Sequence, residues 1–158
     1  MKKGVVAVLS LLAGGGIGST LMSAKATKKT EAKQRLSDKH LRMFKMMNQW
    51  VKLKQEGKNL ADFLKKNNYE KIAVYGMHYA GETLVAELAN TDIQIVCGID
   101  RKAQSIYSGV NMITKDDTIP DVDAIIVTAI SFFDEIESDL QQKTTCPIIS
   151  LEDIIYEM

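Results

Sequence analysis

The stretch Lys71-Ile-Ala-Val-Tyr-Gly-Met-His-Tyr-Ala-Gly-Glu82 decides the fold. A short apolar strand, Lys71 to Tyr75, runs straight into Gly76, and from Glu82 to Asn90 the residues Leu84, Val85, Leu88 and Ala89 fall at helical spacing. An apolar strand that turns on a glycine into a helix opens a βαβ unit. Outward from it the alternation repeats. Ile93 to Ile99 reads as a second strand ending at Asp100, Val110 to Ile113 as a weaker third, Asp123 to Thr128 as a fourth and Pro147 to Ile149 as a fifth. Helices are expected from Ser131 to Gln142 and from Leu151 onward. Strands buried on both faces and separated by helices imply a parallel sheet covered on both sides. The expectation for residues 69–158 is an α/β domain with a small five-stranded parallel sheet of order 3-2-1-4-5.

The turn Gly76-Met77-His78-Tyr79-Ala80-Gly81 is the informative motif. The dinucleotide fingerprint of Rossmann-like folds asks for G-x-G-x-x-G between strand and helix, with an acid about 20 residues on. Gly76 fits the tight turn, and Gly81 fits close packing of the helix on the sheet. Asp100 stands at the end of the second strand, where a ribose hydroxyl would be bound. The middle glycine is replaced by His78. A side chain there either blocks a pyrophosphate or, as an imidazole, donates to it. Thr128 and Ser131 lie beyond the fourth strand, on the rim where ligands sit in such sheets. Ser131 with Asp134 and Ser150 with Asp153 also fit the S-x-x-D capping box, so helix capping is the preferred role of both serines.

Upstream of residue 69 the chain changes character. Residues 1–58 carry 13 Lys+Arg against 3 Asp+Glu, while residues 59–158 carry 7 against 17, so the zero net charge of the 158 residues conceals two oppositely charged parts. Gly4 to Ala24 holds no charge and is long enough, as a helix, to cross about 30 Å of hydrocarbon. The excess of basic residues on its C-terminal side points the rest of the chain to the cytoplasm. Residues 1–26 are therefore expected to be a single-pass membrane anchor, with a cleaved signal peptide as the alternative. Gly14 and Gly18 form a G-x-x-x-G pair that suits a homodimer of such helices. Residues 27–68 read as a basic juxtamembrane helical segment. Leu36, His40, Met43, Met47 and Trp50 recur at steps of four and three, with Met46 and Leu53 on the same side, as in a helix lying on its own domain or on a second copy. Gly57 ends this helix, and Asn59 caps a short one from Leu60 to Asn67.

Several functions find no residues to carry them. Two cysteines, Cys97 and Cys146, are too few for a disulfide framework or a zinc cluster. No G-x-x-x-x-G-K-[ST] loop, G-x-S-x-G elbow or Tyr-x-x-x-Lys pair is present. The basic tract lacks interleaved aromatics, so nucleic acid is a disfavoured partner. An enzyme acting alone is not expected.

Residues 69–158 resemble the small Rossmann unit of bacterial surface-polysaccharide proteins, among them sugar acyltransferases, methyltransferases and nucleotide-sugar-modifying enzymes. Lys71-Ile-Ala-Val-Tyr-Gly-Met77, Gly81-Glu82, Gly98-Ile-Asp-Arg101, Asp123-Ala-Ile-Ile-Val-Thr128 and Pro147-Ile-Ile-Ser-Leu-Glu-Asp153 carry the likeness. The resemblance implies a uridine diphosphate sugar held by the glycine turn and the end of the second strand. By position the resemblance nominates Gly76, His78, Gly81, Asp100 and Arg101, and Met77 of the same turn and Thr128 on the rim complete the candidate binding residues. The resemblance also implies an accessory role beside a polysaccharide-biosynthesis enzyme, and the expected anchor makes the bilayer a further partner. Two alternatives stand: an NAD(P)-dependent oxidoreductase subunit completed by another chain, and a ligand-free structural adaptor.

Overall fold

The computed structural model describes the backbone of residues 3–103 and 109–158, and side chains from Thr27 onward within those ranges. A long helix α1 (Lys3–Gln55) and a short α2 (Leu60–Lys66) precede β1 (Lys71–Tyr75), α3 (Tyr79–Leu88), β2 (Gln94–Ile99), β3 (Met112–Ile113) and β4 (Ala124–Val127). A 3-10 turn (Ile130–Phe132) leads into α4 (Phe133–Leu140), and β5 (Ile148–Ser150) and α5 (Leu151–Glu157) follow. All strand pairings are parallel, and the order is β3-β2-β1-β4-β5. The chain direction across the sheet therefore reverses between β1 and β4, where ligands bind in folds of this kind.

The strands alternate their side chains between two cores. Ile72 and Val74 of β1 and Ala124 and Ile126 of β4 face the core that also holds residues of α1, α2, α3 and α5. Ala73, Tyr75, Ile125 and Val127 face the other, which is closed by Ile136 and Leu140 of α4. Between Ile72 and Ala73 the register to β2 slips, so that Ile72 pairs with Ile95 but Ala73 with Cys97. Val96 is the extra residue, and it packs with Cys97 on the α4 side. Buried on both faces, these strands need the continuous apolar runs seen in the sequence.

Two compact units divide at Leu41, Met1–Leu41 and Arg42–Met158. The last part of α1 thus belongs to the globular unit. Met46, Trp50 and Leu53 are buried there, each at 3% exposure or less, with Met43 and Met47 half-buried beside them. Full burial of such side chains is worth roughly 1.5–3 kcal/mol each. The buried seam is Met46-Trp50-Leu53, whereas Leu36 and His40 of the expected stripe are exposed. Glu87 of α3 fixes the docked segment. Its carboxylate accepts the Trp50 indole N–H at 2.7 Å and the Leu60 backbone N–H at 3.0 Å, and Lys54 lies 3.2 Å away. At the end of α1, Gly57 adopts φ 77° while its N–H donates to Lys54 O and that of Lys58 to Leu53 O. This is the left-handed glycine ending expected of it. Asn59 caps α2 by accepting the Asp62 N–H at 2.9 Å, and Ser150 caps α5 by accepting the Glu152 N–H at 3.2 Å.

Three expectations need correction. Among the described residues no helix is long and apolar enough to cross a membrane, so the single-pass anchor over residues 1–26, and with it the cytoplasmic placement, is withdrawn. In the sequence, five glycines and four hydroxyl residues dilute the run from Gly4 to Ala24, and the helix carries on into the basic tract instead of ending with the run. The side chains of Gly14, Gly18 and their neighbours lie outside the described residues. Ser131 is not a cap, because the chain enters the 3-10 turn at Ile130 and α4 starts after Phe132 with no side-chain cap bond. The third strand is shorter than expected and holds only Met112 and Ile113.

Replacing Glu87 by Ala leaves the Trp50 and Leu60 donors unpaired in a half-buried site. Urea unfolding is expected to show a loss of about 2–4 kcal/mol, and Glu87→Gln, which keeps one acceptor, a smaller one.

Candidate functional site

The carboxyl end of the sheet gathers the seven residues nominated from sequence, and contacts within the protein engage most of them. Gly76 leaves β1 with φ 96°, and its N–H donates to Ile99 O at 2.9 Å. A Cβ on Gly76 would lie 2.9 Å from Thr128 Oγ1 and 3.2 Å from Ala129 Cβ. Both the backbone angle and the approach of the β4 end demand glycine here. A Cβ on Gly81 would fall well inside contact distance of the Gly76 carbonyl oxygen, so α3 can lie this close to β1 only without a side chain at that position. Thr128 is buried at 3% exposure, and its hydroxyl bonds to the carbonyl oxygens of Tyr75 and Gly76. It stitches the end of β4 to the end of β1 rather than facing solvent.

Asp100 closes the same knot from the other side. One carboxylate oxygen accepts the Met77 N–H at 3.1 Å and the other the Lys102 N–H at 3.0 Å. The carboxylate therefore already holds the glycine turn and the start of the next loop, which uses part of the acceptor capacity a ribose would need. Met77 is 2% exposed and points into the core, where Gly98 makes room. A Cβ on Gly98 would lie 2.6 Å from Met112 Sδ and 3.0 Å from Met77 Cγ. Gly98 is among the residues that carry the likeness, and a glycine inside a strand is a signal of close approach.

His78 and Arg101 are the two candidates that reach the surface. His78 is the N-cap residue of α3, in an extended conformation, with no side-chain cap bond. Its ring stands edge-on to that of Tyr79, with centroids 4.1 Å apart and planes at 80°, and Tyr79 is 73% exposed. The first turn of α3 thus presents backbone N–H groups and an imidazole at the β1–β4 reversal. Arg101 pairs at 3.3 Å with Glu135 of α4. Since β2 and β4 flank β1 on opposite sides, this pair reaches across the end of β1. Both side chains are more than three-fifths exposed, and such a pair is worth about 0–1 kcal/mol. Glu135 carries no local signal of this role, since it lies 34 residues from its partner.

No group of His, Cys, Asp and Glu fit for a metal occurs among the described residues. The geometry offers N–H donors, an imidazole and a guanidinium at one rim, a set suited to holding an anion.

The family described as C2185-like, N-terminal, matches residues 68–146, half of the chain. The chain belongs to the C2185-like family. The matched segment of this C2185-like chain runs from just before β1 to the residue before Pro147, so all seven candidates and Glu135 fall inside it. The docked part of α1 and the β5–α5 end fall outside it. Comparison with curated proteins and with solved structures gives no match.

Gly81→Ala places a methyl group against backbone that cannot move aside cheaply, and a drop of about 1–3 kcal/mol in unfolding free energy is expected. The cysteines supply an independent check on the packing. Cys97 is fully buried and burial pushes its thiol pKa up, while Cys146 is half-buried. A disulfide reagent is expected to titrate Cys146 readily in the native protein, and Cys97 only after unfolding.

Proposed function

We propose that this domain is a binding module for a nucleotide or nucleotide-sugar, with the phosphates at the N-terminus of α3 beside His78. The observation that carries the reading is the start of α3: a helix end without a side-chain cap bond, at the sheet's reversal point, with an exposed imidazole at its N-cap. Helix N-termini favour anions by typically 0.3–1 kcal/mol at an exposed site, and an imidazole N–H donating to the ligand adds to this. Arg101 supplies a cationic contact once a phosphate takes the place of Glu135. The resemblance to polysaccharide-assembly proteins makes uridine diphosphate sugars the ligands to test first, and an accessory role beside an enzyme of that pathway follows from the same likeness. The oxidoreductase reading gains nothing from the geometry, since His78 stands where a dinucleotide's pyrophosphate needs bare backbone.

A second reading, the ligand-free structural module, draws on a specific observation. Thr128 and Asp100 direct their polar atoms to backbone groups of their own turn, and Thr128 and Ala129 fill the approach to Gly76.

Thermal unfolding of the full chain with uridine diphosphate, its sugars, NAD(H), NADP(H) and coenzyme A separates these readings. A ligand at 100 times its Kd stabilises the native state by about 2.7 kcal/mol, a shift of several degrees for a domain of this size. A shift limited to uridine nucleotides, lost in His78→Ala, is the expected result. Glu135→Gln releases Arg101 and is expected to tighten binding by about two- to five-fold. No shift with any ligand would favour the ligand-free module.

A further inference from the structure

The part of α1 that docks on the domain, Arg42 to Gln55, also presents apolar residues on its outer side. Phe44 and Val51 are 68% and 53% exposed. With Asn48 between them and Gln55 after, they step by four, three and four residues. This is the spacing of a narrow two-helix seam, and a single Asn within such a seam is a known register device. The buried residues Met46, Trp50 and Leu53 lie on the opposite side of the helix, so the same segment has one apolar face satisfied and a second one open to solvent.

Charge distinguishes the possible occupants. Residues 42–55 contain four basic residues and no acid. Two of the four meet carboxylates of the domain, Arg42 at Glu152 and Lys54 at Glu87. The other two, Lys45 and Lys52, are exposed, flank the outer seam on one side two helical turns apart, and meet no carboxylate among the described residues. A second copy of this segment would bring lysine to lysine in an antiparallel pair and has no acid to offer in a parallel one. A lipid surface would have to accept Asn48 between Phe44 and Val51 in the middle of the stripe, whereas a helix partner can pair it.

We infer that the outer face of α1, Phe44-Asn48-Val51 with Lys45 and Lys52 at its edge, docks an amphipathic helix of a partner protein whose seam is apolar and whose flanks are acidic. The inference is independent of what the α3 end binds.

The test uses the full-length protein and two labelled designed helices with identical apolar seams, one flanked by Glu and one by Lys, read by fluorescence anisotropy. Binding of the Glu-flanked helix alone is expected. It should weaken by at least about ten-fold in Phe44→Asp, and the charge preference should reverse in the double variant Lys45→Glu/Lys52→Glu. All three side chains are exposed, and unchanged circular dichroism and melting of the variants control for folding. Failure of the Glu-flanked helix to bind, or equal binding of both helices, overturns the inference. A dimer in sedimentation that Phe44→Asp dissociates, without helix binding, assigns the face to a second copy instead. Partition onto phosphatidylserine vesicles that the same variant abolishes, again without helix binding, assigns it to lipid.

Discussion

Two missing side chains, at Gly76 and Gly81, set the geometry of the whole carboxyl end of the sheet. The Gly76 carbonyl is pressed between α3, which can approach only because Gly81 has no Cβ, and the hydroxyl of Thr128, which bonds to it from β4. Asp100 ties the same turn to the end of β2 through the Met77 N–H. Three neighbouring strand ends are thus bound together through one loop, with Gly76 N–H to Ile99 O as a further tie. What remains outside the knot is the first turn of α3 with His78 and, across the end of β1, the Arg101–Glu135 pair. The candidate site is therefore a rigid floor with a small exposed rim. Rigidity of this kind suits recognition, because the donors need little ordering when a ligand arrives.

A different constraint governs the opposite side of α3. Glu87 is a nearly buried carboxylate that gathers an indole N–H, a backbone N–H at the start of α2 and an ammonium. It converts the basic character of α1 into a docking contact, and Arg42 does the same with Glu152 at the start of α5, where the carboxylate holds the guanidinium's pKa above its usual value. The opposite net charges of the two ends of the chain, legible as arithmetic, are here partly resolved into particular pairs. The outward lysines are the part left over.

Much of the fold was readable in the sequence because its signals are local. Apolar runs of four to six residues mark strands covered on both faces, and the glycine and serine positions at element ends act on neighbours a few residues away. Gly57, Asn59 and Ser150 took their expected places for that reason. Ser131 did not, since a 3-10 turn starting at Ile130 shifted the start of the helix past it. The stripe of α1 was read by spacing alone, which fixes the period of a helix but not which side a domain will cover. The anchor reading failed on a related point: an uncharged run long enough to span a bilayer is not by itself a spanning helix.

The sequence by itself determined the class of fold, the order of its elements and the turn that closes β1. These follow from hydrophobic period and from glycines whose need is set by the backbone beside them. Only the tertiary structure decided what the polar candidates do. Thr128 acts on Gly76 from 52 residues away, Asp100 on Met77 from 23, and Glu87 on Trp50 from 37. No local pattern encodes such partners. They exist because the strand order places those backbone atoms within hydrogen-bond reach, and a buried hydroxyl or carboxylate must find a partner there.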